Sequence, residues 1–372
     1  MRRQSFKEFA RPLFSLILAG VLLFSQMAFS VAEFRETDWT TIQQSLDCDG
    51  SIIEIDAVVD CIIPTEANEW QCKGKIWTEA ELRELLAVIS PANIGLERHP
   101  HNSKDDISLY NNNEEASISA NVGYVLFDQH NKFEPYSYAA NSAYVPYFKA
   151  YEPFVVSIEP LELFSYDDAM AKIQPLLNGI DCEVGRPFKV LAWNQEMLQS
   201  NWETYKHIYS EIGNKQWTID DEIYQITLPV YFKGIRLDTE GGPSRPNINN
   251  TGARIDVVLN SSDILHFETN DILMEDAKAI SKSQPIISLE EAIECYRQYR
   301  SNMLVPDEES FVVNKILLQY IVLKDSPSAK ATYRLVPAWC FFHEVYADNN
   351  SELVPWLFYE PIHAITGLPV DY

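Results

Sequence analysis

Basic residues are scarce in this chain: 29 Lys+Arg stand against 54 Asp+Glu, giving a formal net charge of −25. A surface of that sign repels nucleic-acid phosphate and anionic lipid, so nucleic acid is not an expected partner. Histidine is scarce as well, with seven in 372 residues. No two of them share a helix at ligand spacing, and a metalloenzyme is not expected. None of the six cysteines, Cys48, Cys61, Cys72, Cys182, Cys295 and Cys340, forms C-x-x-C, which argues against a zinc ribbon or a thioredoxin-type redox site. There is no G-x-S-x-G elbow, no P-loop and no G-x-G-x-x-G after a strand-like run. No catalytic residue and no cofactor is therefore expected.

The long apolar run that does occur lies at the start. Arg2, Arg3, Lys7 and Arg11 precede an uncharged stretch from Pro12 to Ala32, the basic and apolar regions of a signal peptide. Ser30 and Ala32 offer a cleavage site before Glu33, so residues 1–32 are read as a signal peptide and the remainder as secreted. The alternative is an uncleaved anchor, since the stretch approaches the roughly 20 residues that span a bilayer. Membrane contact is expected only in that case. Removing residues 1–32, with four basic and one acidic residue, leaves a net charge of about −28 on the rest.

After the signal segment the pattern alternates between strand and helix. Ile52 to Val59 and Trp70 to Trp77 read as strands, and Thr78 with Glu81 forms a capping box ahead of Leu82, Leu85, Leu86 and Ile89. His99 to Glu115 reads as a polar loop, and Ile118 to Phe127 as one strand. Ser165 with Asp168 opens a second helix through Ile173, and Glu196 to Ile212 a third. Ile223 to Leu237 reads as one long strand whose Pro229 marks an edge or a bulge. Ser288 with Glu291 opens a last helix, through Arg300. Three strands follow, Phe311 to Leu323, Thr332 to Tyr346 and Trp356 to Ile365; the middle one sets Tyr333, Leu335, Trp339 and Phe341 on one face, as in a half-buried strand.

These elements predict an α+β protein of two domains, residues 33–150 and 151–372, each an antiparallel sheet with one or two packed helices. The ending Phe358-Tyr-Glu-Pro-Ile-His-Ala-Ile-Thr-Gly367 carries Ile362, Ala364 and Gly367 as Ile-x-Ala-x-x-Gly. With the preceding helix and the Leu335–Trp339 strand, it resembles the close of PepSY-type and YycH/YycI-type modules, over about residues 220–372. The chain as a whole resembles secreted or lipid-anchored proteins of unknown function from Gram-positive gut bacteria, and it departs from many of them in having no lipobox cysteine. The resemblance implies a C-terminal helix-plus-meander module and a non-catalytic, extracytoplasmic role, regulating a membrane sensor or restraining an enzyme.

Two sets of residues are candidates for function. Tyr136, Tyr138, Tyr144, Tyr147 and Tyr151 crowd a proline-bearing stretch with Phe148 and Phe154, a surface able to stack on sugars or grip a peptide, or else a roof over the core. Cys61 and Cys72 flank a turn-like segment and are placed to form a cross-strand disulfide. Weaker signals are read as chance. His343-Glu344 starts like a zincin helix, but Ala347 stands where the second histidine belongs. His99, His101, Asp105 and Asp106 read as a solvated loop, and Asp47, Asp49, Gly50, Glu54 and Asp56 lack the spacing of a calcium loop. The expected function is a secreted, non-catalytic binding or regulatory protein of the cell envelope, whose partner is another extracytoplasmic protein or peptide. The alternative is a secreted carbohydrate-active hydrolase using paired carboxylates.

Overall fold

The computed structural model describes residues 39–370, apart from 49–50, 61–62, 94, 100–102, 104–105, 111–114, 141–154, 157–159, 181, 207–214, 239–252, 270–273, 304–311, 325–331 and 350–351. Chain contacts divide between Glu33 and Phe34, and all described elements belong to the second unit. The expected domain boundary at residue 150 lies outside the described residues.

Five α-helices are described: α1 Glu79–Ile89, α2 His130–Ala139, α3 Tyr166–Gly179, α4 Gln195–Tyr205 and α5 Leu289–Ser301. Capping boxes start three of them, at Thr78/Glu81, Ser165/Asp168 and Ser288/Glu291, so each first turn has a side chain for an otherwise orphaned N–H. α1 buries Leu82, Leu85, Leu86 and Ile89. α3 runs past Ile173 to Gly179 and through Pro175, because Leu176 and Leu177 are buried in the core and packing outweighs the lost hydrogen bond.

The strands do not divide into two antiparallel sheets. Eighteen of them join one mixed sheet, which overturns the expected pair of small α+β domains. β12 (Ile223–Phe232) ties it together. Up to Pro229 this strand pairs with β14 (Arg254–Asn260) on one side, and from Ile223 to Thr227 with β11 (Lys189–Trp193) on the other. Beyond β14 lie β15 (Ile264–Thr269), β8 (Tyr124–Asp128), β7 (Ser117–Asn121) and β6 (Ile107–Tyr110), all antiparallel. After Pro229 the partners change: Val230 and Tyr231 meet β10 (Glu183–Val184), and Tyr231 and Phe232 meet β13 (Ile235–Leu237). Proline has no N–H to give a ladder, so it sits where one ladder stops, and its carbonyl accepts from the Gly185 N–H at 3.0 Å.

β13 lies parallel to β18 (Val312–Lys324), which pairs with β19 (Thr332–Asn349), itself paired with β20 (Glu352–His363). The helix and the three long strands of the C-terminal third are thus present, but not as a separate module. β18 also runs parallel to β2 (Ser51–Asp60), which carries the hairpin partner β1 (Trp39–Cys48). β19 also pairs with β4 (Trp70–Gly74), and β4 with β16 (Met274–Ala279).

Several local expectations change for identifiable reasons. The run Ile118–Phe127 breaks into a hairpin at Val122-Gly123, where Gly123 has φ +80°. Ile223–Leu237 breaks at Lys233-Gly234, both at positive φ (49° and 78°), the conformation a two-residue hairpin turn of the right twist requires. The polar stretch from His99 contains β6, whose Ile107 and Leu109 are buried. β19 is not half-buried: Tyr333, Leu335, Trp339 and Phe341 enter the main core, while Val336, Ala338, Cys340 and Phe342 build a second cluster on the other face.

α5 locks onto this strand set. Tyr296 stacks on Phe341 with centroids 4.1 Å apart and planes 3° from parallel, and the Trp339 indole N–H donates to the Ile287 carbonyl at 3.1 Å. Arg300 and Glu360, both buried, pair at 2.8 Å, and the Tyr296 hydroxyl donates to the second oxygen of Glu360 at 2.8 Å. Gly367 closes the chain behind them at φ +70°, and a Cβ there would stand 2.7 Å from the Cys295 sulfur. Gly367→Ala therefore combines backbone strain with overpacking and is expected to cost roughly 1–3 kcal/mol, measured as a lower urea midpoint at unchanged m-value.

Candidate functional site

A groove of about 460 Å³ opens where β12 changes partners. Its apolar wall comes from Val230, Phe232, Leu237 and Ile180, which the β12–β13 hairpin and the end of α3 place together. Two half-buried sulfur-bearing side chains, Cys182 and Met274, complete that wall. The Cys72 thiol, buried behind it on β4, donates to the Met274 sulfur at 3.1 Å.

The rim carries both signs of charge. Lys75 lies 3.3 Å from Glu81 and 4.2 Å from the centre of the Trp77 ring. Burial pushes the Glu81 carboxyl up, but hydrogen bonds from Thr78 and the neighbouring Lys75 outweigh it and hold the group below the usual carboxylate range. Elsewhere in the lining, Glu183 accepts from the Gly234 N–H at 3.3 Å, while Lys233 reaches over Trp70 and Phe232. Glu275 on β16 adds a third carboxylate. Among the described residues, no group of three His, Cys, Asp or Glu side chains is arranged to hold a metal ion.

The residues singled out from sequence are scattered. Tyr136 is on α2 and only 3% exposed, packed with Trp193, Trp202 and Trp217 in a satellite core. Its hydroxyl donates to Asp221 at 3.3 Å, and burial together with that carboxylate pushes the phenol far above its usual range. Tyr136 thus roofs a core and offers no stacking surface. The side chain of Tyr138 and the whole of Tyr144, Tyr147 and Tyr151 lie outside the described residues, as does Cys61, the expected partner of Cys72. His343 is buried in β19, 4% exposed, where desolvation lowers its pKa; the Glu344 side chain lies outside the described residues. Glu54 and Asp56 stand apart along β2, accepting from Ser45 at 2.5 Å and from Gln43 at 2.9 Å, so they do not surround an ion. His99 rests against Tyr110, with ring centres 5.1 Å apart.

One polar cluster had no signal in the sequence because its members come from distant strands. His266 on β15 faces Asp128 on β8, with Nδ1 to Oδ1 at 2.6 Å, and its Nε2 is 3.6 Å from Glu268, whose other oxygen accepts from the Tyr124 hydroxyl at 3.0 Å. Phe133 of α2 stacks on the imidazole at 4.6 Å. Burial alone would lower the histidine's pKa, but the two carboxylates outweigh it and raise the value to about 9. A folded-state pKa above the ordinary 6.5 makes this clamp fully stabilising below about pH 6.5 and lost as pH climbs through 9. Unfolding free energy is expected to fall by roughly 3 kcal/mol across that window, and His266→Gln to flatten the slope in urea titrations at pH 6 and pH 9.5.

No family model and no curated protein matches the chain. Among solved structures, an uncharacterised protein from Eubacterium rectale superposes at a TM-score of 0.63 with 14% identity, over 89% of this chain and 93% of that one. YycH from Bacillus subtilis aligns at a TM-score of 0.35 with 11% identity, over 85% of this chain and 56% of that one. The chain shares its fold with the Eubacterium rectale protein along nearly its whole length.

Proposed function

We propose that this chain is an exported binding protein of the bacterial cell envelope, whose groove receives a short extended segment of another extracytoplasmic protein or peptide and thereby regulates it. The observation that carries this reading is the groove's makeup. An apolar wall of Val230, Phe232 and Leu237 is bordered by side chains of both signs, Lys75 and Lys233 with Glu81, Glu183 and Glu275. A peptide offers the matching chemistry, with apolar side chains, carbonyl acceptors, amide donors and charged ends. The volume lies within the range of sites that enclose small ligands, so a few residues rather than a whole domain enter it. Export rests on the basic, apolar and small-residue regions of residues 1–32.

Selection from a displayed random-peptide library, followed by calorimetry of the recovered sequences, tests this reading. Binding at roughly micromolar Kd is expected, with Cys182→Phe, which fills the half-buried wall, weakening it at least about tenfold. Recovery of no groove-dependent peptide, together with release of reducing sugar from glycan substrates, would replace the reading with a hydrolase.

A further inference from the structure

The two sulfurs that meet behind the groove wall are brought together by an irregularity of the sheet. β16 pairs with β4 at Met274 opposite Gly74 and Glu275 opposite Lys73, then resumes only at Lys278 opposite Gln71, so its bulge falls beside Cys72. Within the bulge Asp276 stands at φ +53°, an uncommon conformation for a residue with a side chain, and its carboxylate is tied to Lys73 at 2.8 Å. Bulges re-aim side chains and are over-represented beside functional sites. Cys72 and Gly74 alternate onto one face of β4, so Met274, opposite Gly74, comes to that face as well. There the thiol and thioether sulfurs lie 3.1 Å apart, closer than the roughly 3.5–4.0 Å of ordinary carbon contact. The Tyr333 carbonyl, a second acceptor for the thiol, is 3.8 Å away. Cys72 is 1% exposed, whereas Met274 is half-buried and lines the groove, which gives the pair a path to solvent.

We infer that Cys72 and Met274 form a binding site for a single soft monovalent metal ion, Cu(I), held between thiolate and thioether at the back of the groove. The ion takes the place of the thiol hydrogen. Cys72 gives its proton to solvent, its sulfur bonds to the metal, and the Met274 sulfur supplies the second bond with no change in its own charge. One positive charge leaves as another enters, so the buried pair stays electrically neutral and no uncompensated charge is desolvated. The donor type sets the choice of metal, because thiolate and thioether select Cu(I) over harder ions. Among the described residues no three His, Cys, Asp or Glu side chains converge, so zinc has no tetrahedral cage here. Methionine's unbranched, flexible stem lets the two sulfurs part to admit the ion. Glu81, Glu183 and Glu275 in the groove lining, in a chain of net charge −25, raise the local concentration of cations. The site goes beyond the peptide reading and does not depend on it.

Anaerobic titration of the full, reduced chain with Cu(I) against a colorimetric Cu(I) chelator tests this, with proton release followed on the same samples. A single tightly held ion is expected, with about one proton released as it binds, and X-ray absorption at the copper edge is expected to show sulfur neighbours only. Met274→Leu keeps the volume of the wall and is expected to weaken binding at least about tenfold. Cys72→Ser is expected to abolish it, whereas Cys295→Ser, which removes a thiol on α5, leaves it unchanged. Circular dichroism checks that the variants keep the fold; if Cys72→Ser does not, Met274→Leu and the absorption spectrum decide. No ion held against the chelator, binding indifferent to Met274→Leu, binding that follows Cys295 instead, or nitrogen and oxygen neighbours in place of sulfur would overturn the inference.

Discussion

The molecule depends on one strand serving two sets of neighbours. Buried backbone N–H and C=O groups must all be paired, so a strand that leaves one ladder has to enter another without a gap. β12 does this at Pro229, the one position along it with no N–H to satisfy. On one side of that residue hang the strands that carry α2, α4 and the His266 clamp, and on the other hang the long C-terminal strands and α5. The candidate groove is a by-product of the same seam, because a strand that changes partners leaves space between the elements that part there.

Charge is handled differently in the two halves. Near α5, Arg300 and Glu360 are buried together, and the Tyr296 hydroxyl occupies the carboxylate's remaining oxygen. A buried pair of this kind recovers its desolvation cost only when its hydrogen bonds are complete, so it fixes the helix's orientation on the sheet more than it adds net stability. In the other half, His266 between Asp128 and Glu268 is held cationic, which joins β8 to β15 across 138 positions of sequence. An acidic chain gains from such a centre, since the imidazolium partly offsets two carboxylates that would otherwise repel one another.

Local structure was legible in the sequence wherever the cause was local. The three Ser/Thr-x-x-Asp/Glu boxes begin helices where they stand, and the alternation along β19 correctly places Tyr333, Leu335, Trp339 and Phe341 on one face. What one strand's pattern cannot state is what covers its second face, and β19 proved buried on both. Hairpin turns at Val122-Gly123 and Lys233-Gly234 were hidden within apolar runs that read as single strands. The architecture was illegible for a related reason: β2 with β18 and β4 with β19 are pairings between the two ends of the chain, β8 with β15 spans 138 positions, and nothing in either strand names its partner. The groove draws on four separate stretches of the chain, so no spacing announced it, while the tyrosine-rich stretch that did draw notice contributes Tyr136 to a core.

Those end-to-end pairings also govern when the chain can fold. β2 meets its second neighbour only through Val312–Ile316, and β4 needs both Met274–Ala279 and Thr332–Leu335. During synthesis the first third of the protein therefore waits with incomplete ladders until almost all of the sequence has emerged. Closing loops of more than 250 residues makes the final collapse slow relative to a chain built from neighbouring contacts. The nascent polypeptide consequently carries β2 and β4 without their later neighbours for most of its synthesis.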